Sequence, residues 1–322
     1  MIGNSNSNSK KIEAHAIAVA EKAFGIKAVA SNPLKGETDH NFFMETENGK
    51  YVLKVNESVK SFEYDKTEEE KIMKYLSESH KDIQYPTPVA ALNGKTIVLE
   101  KIDSKLSCYF RLYKFIEGKT LSELEAYSHA LLRQVGRALG EMSSHLRKYP
   151  KSFSSTSMVS YASKSIQEYV GKPSNVALDY FAKKFDELVT PTLKTLPKVM
   201  IHGDFQPENI FVDPNSAKVT GIINFGSCGM SHPGFDIGTV ICHLISDEKK
   251  CKLEDLTELL KGFCEVYPLS EQETNLIYYF VAARVSYLYR NNKSHGLEKC
   301  VMAEYGPKYT KKIFGDALQS QQ

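Results

Sequence analysis

Short apolar runs separated by polar turns dominate the first third of the chain, and this pattern predicts β-strands. Such runs occur at 41–44, 51–55, 89–92, 96–100 and 108–115. Asn-Gly pairs at 48–49 and 93–94 stand between successive runs and indicate hairpin turns. Residues 63–79 change to a helical period, with their apolar side chains on one face. The sequence therefore predicts an antiparallel sheet with one internal helix over 34–116.

After Gly118 the apolar residues recur mostly at helical spacing. Helices are predicted there at 128–148, 161–195, 235–246, 253–267, 270–290 and 297–318, and one more helix is predicted at 11–24, before the sheet. The first ten residues are polar and predict a disordered leader. The expected fold class is α+β with two lobes joined by one connector, an arrangement that would form a cleft for small ligands. The expected boundaries are a leader at 1–10, an N-terminal lobe at 11–110, a connector at 111–118 and a helical lobe at 119–322.

Residues 199–238 interrupt the helical pattern with three more short apolar runs. His202, Asp204 and Asn209 lie between the first two runs, and Asn224 directly follows the third. Loops at strand ends are where a rigid scaffold presents chemistry. We therefore expect these four polar side chains to form the centre of a functional site.

The residue types at this centre suit phosphoryl transfer. A positioned carboxylate such as Asp204 can orient a hydroxyl nucleophile and accept its proton. The side-chain oxygens of Asn209 and Asn224 can coordinate Mg²⁺, which prefers oxygen ligands. A lysine from elsewhere in the chain would hold the nucleotide phosphates.

Lys54 and Glu69 are the candidates for that second task. Lys54 lies inside an apolar strand, and taken alone it is typical of a lysine on a solvated strand face. Glu69 falls on the apolar stripe of the 63–79 helix, where a carboxylate needs a partner, although an acidic first turn would explain it as well. Because Lys54 lies on the preceding strand, we expect a Lys54–Glu69 ion pair.

Charge and cysteine usage narrow the classes of function. A net charge of +2 gives no reason to expect nucleic acid or an acidic membrane surface as a partner. No apolar run approaches the roughly 18 residues of a membrane-spanning helix. The six cysteines form no C-x-x-C pair and no zinc spacing. They predict reduced, mostly buried thiols and a cytoplasmic location.

The central loop resembles the catalytic loop of a known enzyme family. His202-Gly203-Asp204, with Asn209 five residues after the aspartate, is similar to the H-G-D-x-x-x-x-N loop of the aminoglycoside phosphotransferase and choline kinase families, which are relatives of the protein kinases. Asn224 begins a segment in the place of their metal-binding D-F-G. The resemblance implies a bilobal protein-kinase-like fold, a small-molecule kinase activity, ATP or GTP as co-substrate, and Mg²⁺.

Other segments extend the resemblance over roughly 20–290. Lys54 and Glu69 match the family's phosphate-binding lysine and its ion-pair partner, and Asp236 matches an aspartate that braces the catalytic loop. By the same resemblance, the adenine ring would bond to backbone groups near Tyr113 and Phe115.

Within the family, the N-terminal pattern is most similar to the hydroxylysine kinase branch. The pattern comprises Asp39-x-Asn41-Phe42 and Arg111-Leu112 leading into Phe115-Ile116-x-Gly118. This branch and its homoserine and choline kinase cousins phosphorylate a hydroxyl on a small amino-bearing metabolite. The expected acceptor is therefore of that kind or an aminoglycoside.

Position 224 departs from the family pattern, because an asparagine stands where an aspartate is expected. An amide brings one oxygen and no formal charge to a metal, so metal binding should weaken. Three explanations stay open: an active kinase that tolerates asparagine, a nucleotide-binding pseudokinase, and an Asp→Asn variant of an active enzyme. A protein kinase proper is disfavoured, because the chain lacks G-x-G-x-x-G and A-P-E and carries H-G-D in place of H-R-D.

Overall fold

The chain divides into two compact units, which are described separately. A computed structural model describes residues 3–34, 39–57, 62–150, 183–246, 249–252 and 255–290. The first unit comprises Met1–Lys74 and Tyr85–Glu117, and the second comprises Tyr75–Gln84 and Gly118–Gln322. These boundaries differ from the predicted ones, because residues 75–84 belong to the second unit and residues 111–117 to the first.

The first unit is an antiparallel sheet with helices α1 (Gly3–Phe24) and α2 (Phe62–Ser79). The strands are β1 (Ala30–Leu34), β2 (His40–Thr46), β3 (Gly49–Glu57), β4 (Pro88–Val89), β5 (Ile97–Lys101) and β6 (Ser107–Lys114). They run in the order β1-β2-β3-β6-β4, and β5 also pairs with β6. The predicted α+β class and the antiparallel sheet with its internal helix are confirmed.

The apolar core of this unit lies between α1 and one face of the sheet. Ile12 and Ala16 of α1 are buried in the same cluster as Leu53, Val55 and Phe110. Since side chains alternate across a strand, the residues between these apolar positions point to the opposite face. The strand pattern therefore places polar side chains on the face of the sheet away from α1.

Two expectations for the first unit are wrong, and one strand was not predicted. Residues 3–10 are not a disordered leader, because α1 already begins at Gly3, and no proline interrupts the segment. The turn at 93–94 does not join a hairpin, because β4 and β5 each pair with β6. Strand β1 was missed because its Ser-Asn-Pro sequence is typical of a turn. Pro33 is compatible with β1 because this strand lies at the edge of the sheet.

The second unit is mainly helical, with short strands around its centre. Its strands are β7 (Lys119–Thr120), β8 (Val199–Ile201), β9 (Ile210–Asp213), β10 (Lys218–Ile222) and β11 (Gly229–Ser231). Its helices are α3 (His129–Leu146), α4 (Thr190–Leu193), α5 (Gly234–Leu244), α6 (Leu256–Val266) and α7 (Glu271–Arg290). A π-helical turn, Phe185–Val189, precedes α4. The strands predicted around the central loop are confirmed, as are the helices near 128–148, 235–246, 253–267 and 270–290.

Two details of this unit agree with the sequence. Ser128 caps α3, because its side chain accepts a hydrogen bond from the Leu131 N–H. Cys242, Cys251 and Cys264 are buried thiols, as is Cys108 of the first unit.

Most of the predicted 161–195 helix and all of the 297–318 helix lie outside the described residues. Among the described helices, none combines the length and apolar character needed to cross a lipid bilayer.

Candidate active site

The polar centre of the second unit is a tight loop between β8 and β9. Gly203 has φ +79°, a backbone conformation that favours glycine, and a Cβ there would lie 2.1 Å from the Ser227 carbonyl oxygen. A 3₁₀ turn, Pro207–Asn209, closes the loop onto β9. The loop conformation therefore depends on the glycine that precedes Asp204.

Two buried side chains, Asp236 and His202, hold this loop through hydrogen bonds to backbone groups. Asp236, on α5, accepts hydrogen bonds from the N–H groups of His202 at 2.9 Å and Gly203 at 2.8 Å. His202 accepts the Asp204 N–H at its Nδ1, so its Nε2 carries the proton and donates to the Ile223 carbonyl at 2.9 Å. The expected bracing role of Asp236 is confirmed. His202, which was expected in the functional centre, also holds the loop through hydrogen bonds.

The Asp236 carboxyl is held at an electrostatic cost. Burial raises the pKa of Asp236 to about 7, against the two backbone hydrogen bonds, which lower it. The nearby Asp204 charge also raises this pKa. A carboxyl kept in such surroundings is consistent with a bracing role, because its two oxygens are already used by the loop backbone.

Asp204 is surrounded by donors on both of its carboxylate oxygens. Oδ1 accepts a 2.7 Å hydrogen bond from Nη2 of Arg284 on α7. Oδ2 accepts side-chain amide N–H groups from Gln206 at 3.1 Å, Asn209 at 3.1 Å and Asn224 at 3.4 Å. The Asp204 side chain is only 15% exposed. These contacts fix the carboxylate at the strand end, as a general base requires.

Asn224 occupies a special backbone position. Its φ of 70° and ψ of 59° are left-handed, a region in which asparagine and aspartate are enriched among non-glycine residues. The predicted centre is thus brought together: Asn209 and Asn224 each lie within hydrogen-bonding distance of Asp204. His202 is the exception, because it holds the loop from the buried side.

Two side-chain amide oxygens beside Asp204 are the candidate ligands for Mg²⁺. Asn209 and Asn224 direct their Nδ2 atoms to Asp204, which turns their Oδ1 atoms away from that carboxylate. In the described part of the chain, no group of three or more His, Cys, Asp or Glu side chains could hold a metal ion. Two amide oxygens can share a magnesium ion with water and nucleotide phosphates, but they bring no formal charge, whereas this ion usually has one or two carboxylate ligands.

A second set of predicted site residues lies in the first unit, in a charged cluster formed by Asp39, Lys54, Lys66, Glu69 and Arg111. Lys54 pairs with Asp39 at 3.6 Å, and Arg111 contacts both Asp39 and Glu69 at 3.4 Å. Lys66 pairs with Glu69 at 2.8 Å. The expected direct Lys54–Glu69 ion pair is wrong, because Asp39 takes the place of Glu69 beside Lys54.

The charges of this cluster shift the pKa values of its members. Burial would raise the pKa of Glu69, but Arg111, Lys66 and Lys54 outweigh it and lower that pKa. Burial lowers the pKa of Lys54, while Asp39 and Glu69 oppose this effect. Within the cluster three cations face two carboxylates. Glu70 places a third carboxyl near Arg111, and burial raises the pKa of that carboxyl.

The residues predicted near the adenine ring have other contacts. The Tyr113 hydroxyl accepts a hydrogen bond from Arg111 at 2.9 Å and donates to Glu70 at 3.2 Å, so its side chain belongs to the surroundings of the charged cluster. The Phe115 N–H already donates to the Lys50 carbonyl at 3.0 Å. Nucleotide contacts at Tyr113 and Phe115 stay a prediction, and the Phe115 N–H would have to exchange its partner to make one.

Sequence reasoning missed Asp39, Arg111 and Arg284 as members of the two sets. The available signal was a charged residue among apolar ones, as Arg111 between Phe110 and Leu112, or Arg284 between Ala283 and Val285. A charge on a buried face needs a partner, so each arginine was a candidate for a buried ion pair. The partners could not be named, because they lie far away in sequence.

The strand-rich first unit, the helical second unit and the Asp204 loop define a protein-kinase-like small-molecule kinase. The family model described as "Phosphotransferase enzyme family" matches residues 30–263. The chain belongs to this family, which confirms the predicted family and the kinase class.

Curated relatives are similar over most of the chain. Hydroxylysine kinase from Mus musculus is 25% identical, covering 94% of this chain and 89% of the relative. Hydroxylysine kinase from Xenopus laevis is 24% identical, covering 85% and 80%. Aminoglycoside 3'-phosphotransferase from Streptomyces fradiae is 34% identical, but over only 20% of this chain and 25% of its own length.

Solved structures share the fold at low identity. An amicoumacin kinase in complex with AMP-PNP and Ca²⁺ gives a TM-score of 0.71 at 16% identity, covering 97% of this chain and 96% of that chain. A microcompartment-associated aminopropanol kinase gives 0.65 at 16% identity, covering 98% and 95%. At these identities the likeness establishes the fold.

Proposed function

We propose that the chain is an ATP- or GTP-dependent, Mg²⁺-dependent phosphotransferase that phosphorylates a hydroxyl of a small amino-bearing molecule. The acceptor is of the hydroxylysine, homoserine or choline kind, or an aminoglycoside. The observation that carries the proposal is Asp204, held at a strand end among amide donors and beside two potential oxygen ligands of a metal. The names of the hydroxylysine kinase relatives support an amino-bearing acceptor.

Asp204 orients the acceptor hydroxyl and takes up its proton as the oxygen attacks the terminal phosphorus of the nucleoside triphosphate. The bond from that phosphorus to its bridging oxygen breaks, and nucleoside diphosphate leaves. Its amide contacts keep the carboxylate in place without a large rearrangement, which favours a well-oriented attack. Asp236 and His202 act only through the loop backbone. Mg²⁺, when bound, neutralises charge on the phosphate oxygens, and Asn209 and Asn224 are the residues that would hold it.

Lys54 binds nucleotide phosphate in this proposal, and Glu69 keeps the cluster in place around it. Glu69 acts through Arg111 and Lys66, which it contacts directly, and not through an ion pair with Lys54. Asp39 is the carboxylate that positions the Lys54 ammonium group. The cytoplasmic location inferred from the cysteines stays a prediction.

A non-catalytic nucleotide-binding protein is the second candidate. The observation that favours it is Asn224, whose amide donates to Asp204 in place of offering a carboxylate to a metal. An aspartate at position 224 would set two carboxylates against each other, an arrangement that a divalent cation relieves. Asparagine removes the repulsion and, with it, part of the attraction for the metal.

Nucleotide consumption against a panel of hydroxylated amines separates the candidates. The panel is run on the wild-type chain and on Asn224→Asp, with ATP and GTP and with graded Mg²⁺. A tolerant kinase turns over in both forms, and the variant requires less Mg²⁺. Turnover only in Asn224→Asp would show that the wild-type site is impaired. Absence of turnover in both forms, with nucleotide affinity insensitive to Mg²⁺, would refute the kinase proposal and support the second candidate.

A further inference from the structure

Arg284 lies in direct contact with the proposed catalytic carboxylate, and neither the sequence reasoning nor the family pattern gives it a role. It projects from α7 and places Nη2 2.7 Å from Oδ1 of Asp204, while its side chain is 11% exposed. A guanidinium remains charged at any physiological pH. The site therefore contains a fixed cation beside the position at which the acceptor hydroxyl must bind.

The guanidinium is held on its other sides as well. Nε and Nη2 lie 3.4 and 3.3 Å from Nε2 of His243 on α5. Burial, together with the Arg284 charge, lowers the pKa of His243 to about 3, so the imidazole is neutral and Nε2 can accept these N–H groups. The Tyr287 ring lies under the guanidinium, with its centroid 5.1 Å from Cζ. Arg284 is thus anchored and not a mobile surface side chain.

One end of the guanidinium remains accessible. Nη1 makes no hydrogen bond to any residue in the described ranges. It is also not one of the buried, unpaired side-chain atoms of those ranges, so solvent reaches it. Its two N–H groups can therefore bind a ligand. Because arginine binds carboxylate and phosphate with parallel N–H groups, the ligand chemistry is an anionic oxygen of a reactant.

The two oxygens of Asp204 show which reactant this is. Oδ2 faces Asn209 and Asn224, the proposed metal ligands, so the metal and the nucleotide phosphates belong to that side. Oδ1 faces Arg284. The arginine therefore lies on the side of the carboxylate that remains for the body of the acceptor.

We propose that Arg284 is a specificity-determining residue that binds a carboxylate of the acceptor through Nη1, so that the preferred acceptors are hydroxylated amino acids. The proposal rests on the kinase function proposed above. A fixed cation beside Asp204 attracts a carboxylate of the acceptor. Amino alcohols and aminoglycosides lack that carboxylate and are poorer acceptors.

Matched acceptor pairs test the proposal directly. Homoserine is compared with its decarboxylated analogue 3-amino-1-propanol, and hydroxylysine with its own decarboxylated analogue. Each pair is measured on wild type and on Arg284→Gln. Wild type is expected to favour the carboxylated member by about tenfold to a hundredfold in kcat/KM, the range typical of one charge-assisted hydrogen bond. Arg284→Gln is expected to abolish this preference by raising KM for the carboxylated member by a similar factor. Because Arg284 also fixes Asp204, kcat is expected to fall to the same extent on both members.

Two further variants separate specificity from folding. Arg284→Lys keeps the charge without the guanidinium fork, so it should retain part of the preference. Arg137→Gln removes an exposed arginine that pairs with Glu141 and Glu265, and it should keep the full preference. Thermal unfolding of all variants shows whether each one is folded at the assay temperature.

The outcomes distinguish failure of this inference from failure of the proposed function. A preference for the carboxylated member that persists unchanged in Arg284→Gln, with kcat/KM lowered equally on both members of a pair, would overturn the inference and limit Arg284 to a role toward Asp204 or the transferred phosphoryl group. Wild-type turnover without preference for the carboxylated member would overturn it as well. If wild type turns over no acceptor, calorimetric binding of the same pairs decides: a carboxylate preference lost in Arg284→Gln supports the inference, and equal binding contradicts it.

Discussion

Substitution of Gly203 by alanine tests whether the Asp204 loop is built as described. Two separate effects are expected. Alanine at a left-handed φ of +79° costs about 1–2 kcal/mol. The new Cβ would also meet the Ser227 carbonyl oxygen at 2.1 Å, and overpacking of this kind costs about 1–3 kcal/mol. The free energy of unfolding should therefore fall by about 2–5 kcal/mol.

Gly94 offers a matched control for the clash. Its φ is +80°, almost the same as that of Gly203, but a Cβ there meets no atom within 4 Å. Gly94→Ala should therefore show only the backbone cost of about 1–2 kcal/mol. It should also retain wild-type nucleotide consumption, whereas Gly203→Ala should lose most of it because Asp204 shifts relative to Asn224.

Denaturant unfolding and steady-state nucleotide consumption are measured on both variants, with an acceptor that wild type uses. Equal stability losses in the two variants, together with unchanged turnover in Gly203→Ala, would refute the claim that close contact with the Ser227 backbone shapes the loop.

Three further predictions concern packing, pH and the first unit. Gly136→Ala on α3 places a Cβ 1.8 Å from a carbonyl oxygen of α6. The free energy of unfolding in urea should therefore fall by at least about 1–3 kcal/mol, where alanine in a helix usually raises it. A gain in that free energy would contradict the packing. The hydrogen bond from His232 lowers the pKa of Glu273 to about 2, so its stabilisation is present above about pH 4.5 and lost as the pH falls toward 2. The stability advantage of wild type over Glu273→Gln, up to about 3 kcal/mol, should shrink over that interval, and an advantage independent of pH would argue against it. Lys54→Met should weaken nucleotide binding at least about tenfold by calorimetry, whereas Lys50→Met, which removes an exposed lysine from the same strand, should not; equal effects would remove Lys54 from its role.

Much of the second unit's site could be predicted because it is contiguous in sequence. His202, Asp204 and Asn209 lie within eight positions, and the apolar runs on both sides determine where the loop begins and ends. Strand periodicity likewise identified β8, β9 and β10 without any knowledge of their partners. Local patterns are sufficient wherever the geometry is set by neighbouring residues.

Contacts between distant segments could not be predicted. Arg284 follows Asp204 by 80 positions and Arg111 follows Asp39 by 72, so no periodicity joins either pair. A Lys54–Glu69 pair was expected because Lys54 lies on the strand that precedes the helix of Glu69. In the structure Glu69 pairs with Arg111, a competing cation, and Lys54 pairs with Asp39, a competing anion. A charge cluster distributes its pairs according to three-dimensional packing, which the sequence does not display.

The role of Asp204 is the central claim, and Asp204→Asn tests it most directly. The substitution keeps the size and a hydrogen-bonding oxygen but removes the proton acceptor. Phosphorylated acceptor is quantified by mass spectrometry, and nucleotide affinity is measured on the same preparation. We expect the rate of transfer to fall by about a hundredfold or more, as for loss of a general base, with nucleotide affinity nearly unchanged. Transfer at the wild-type rate in Asp204→Asn would contradict the account.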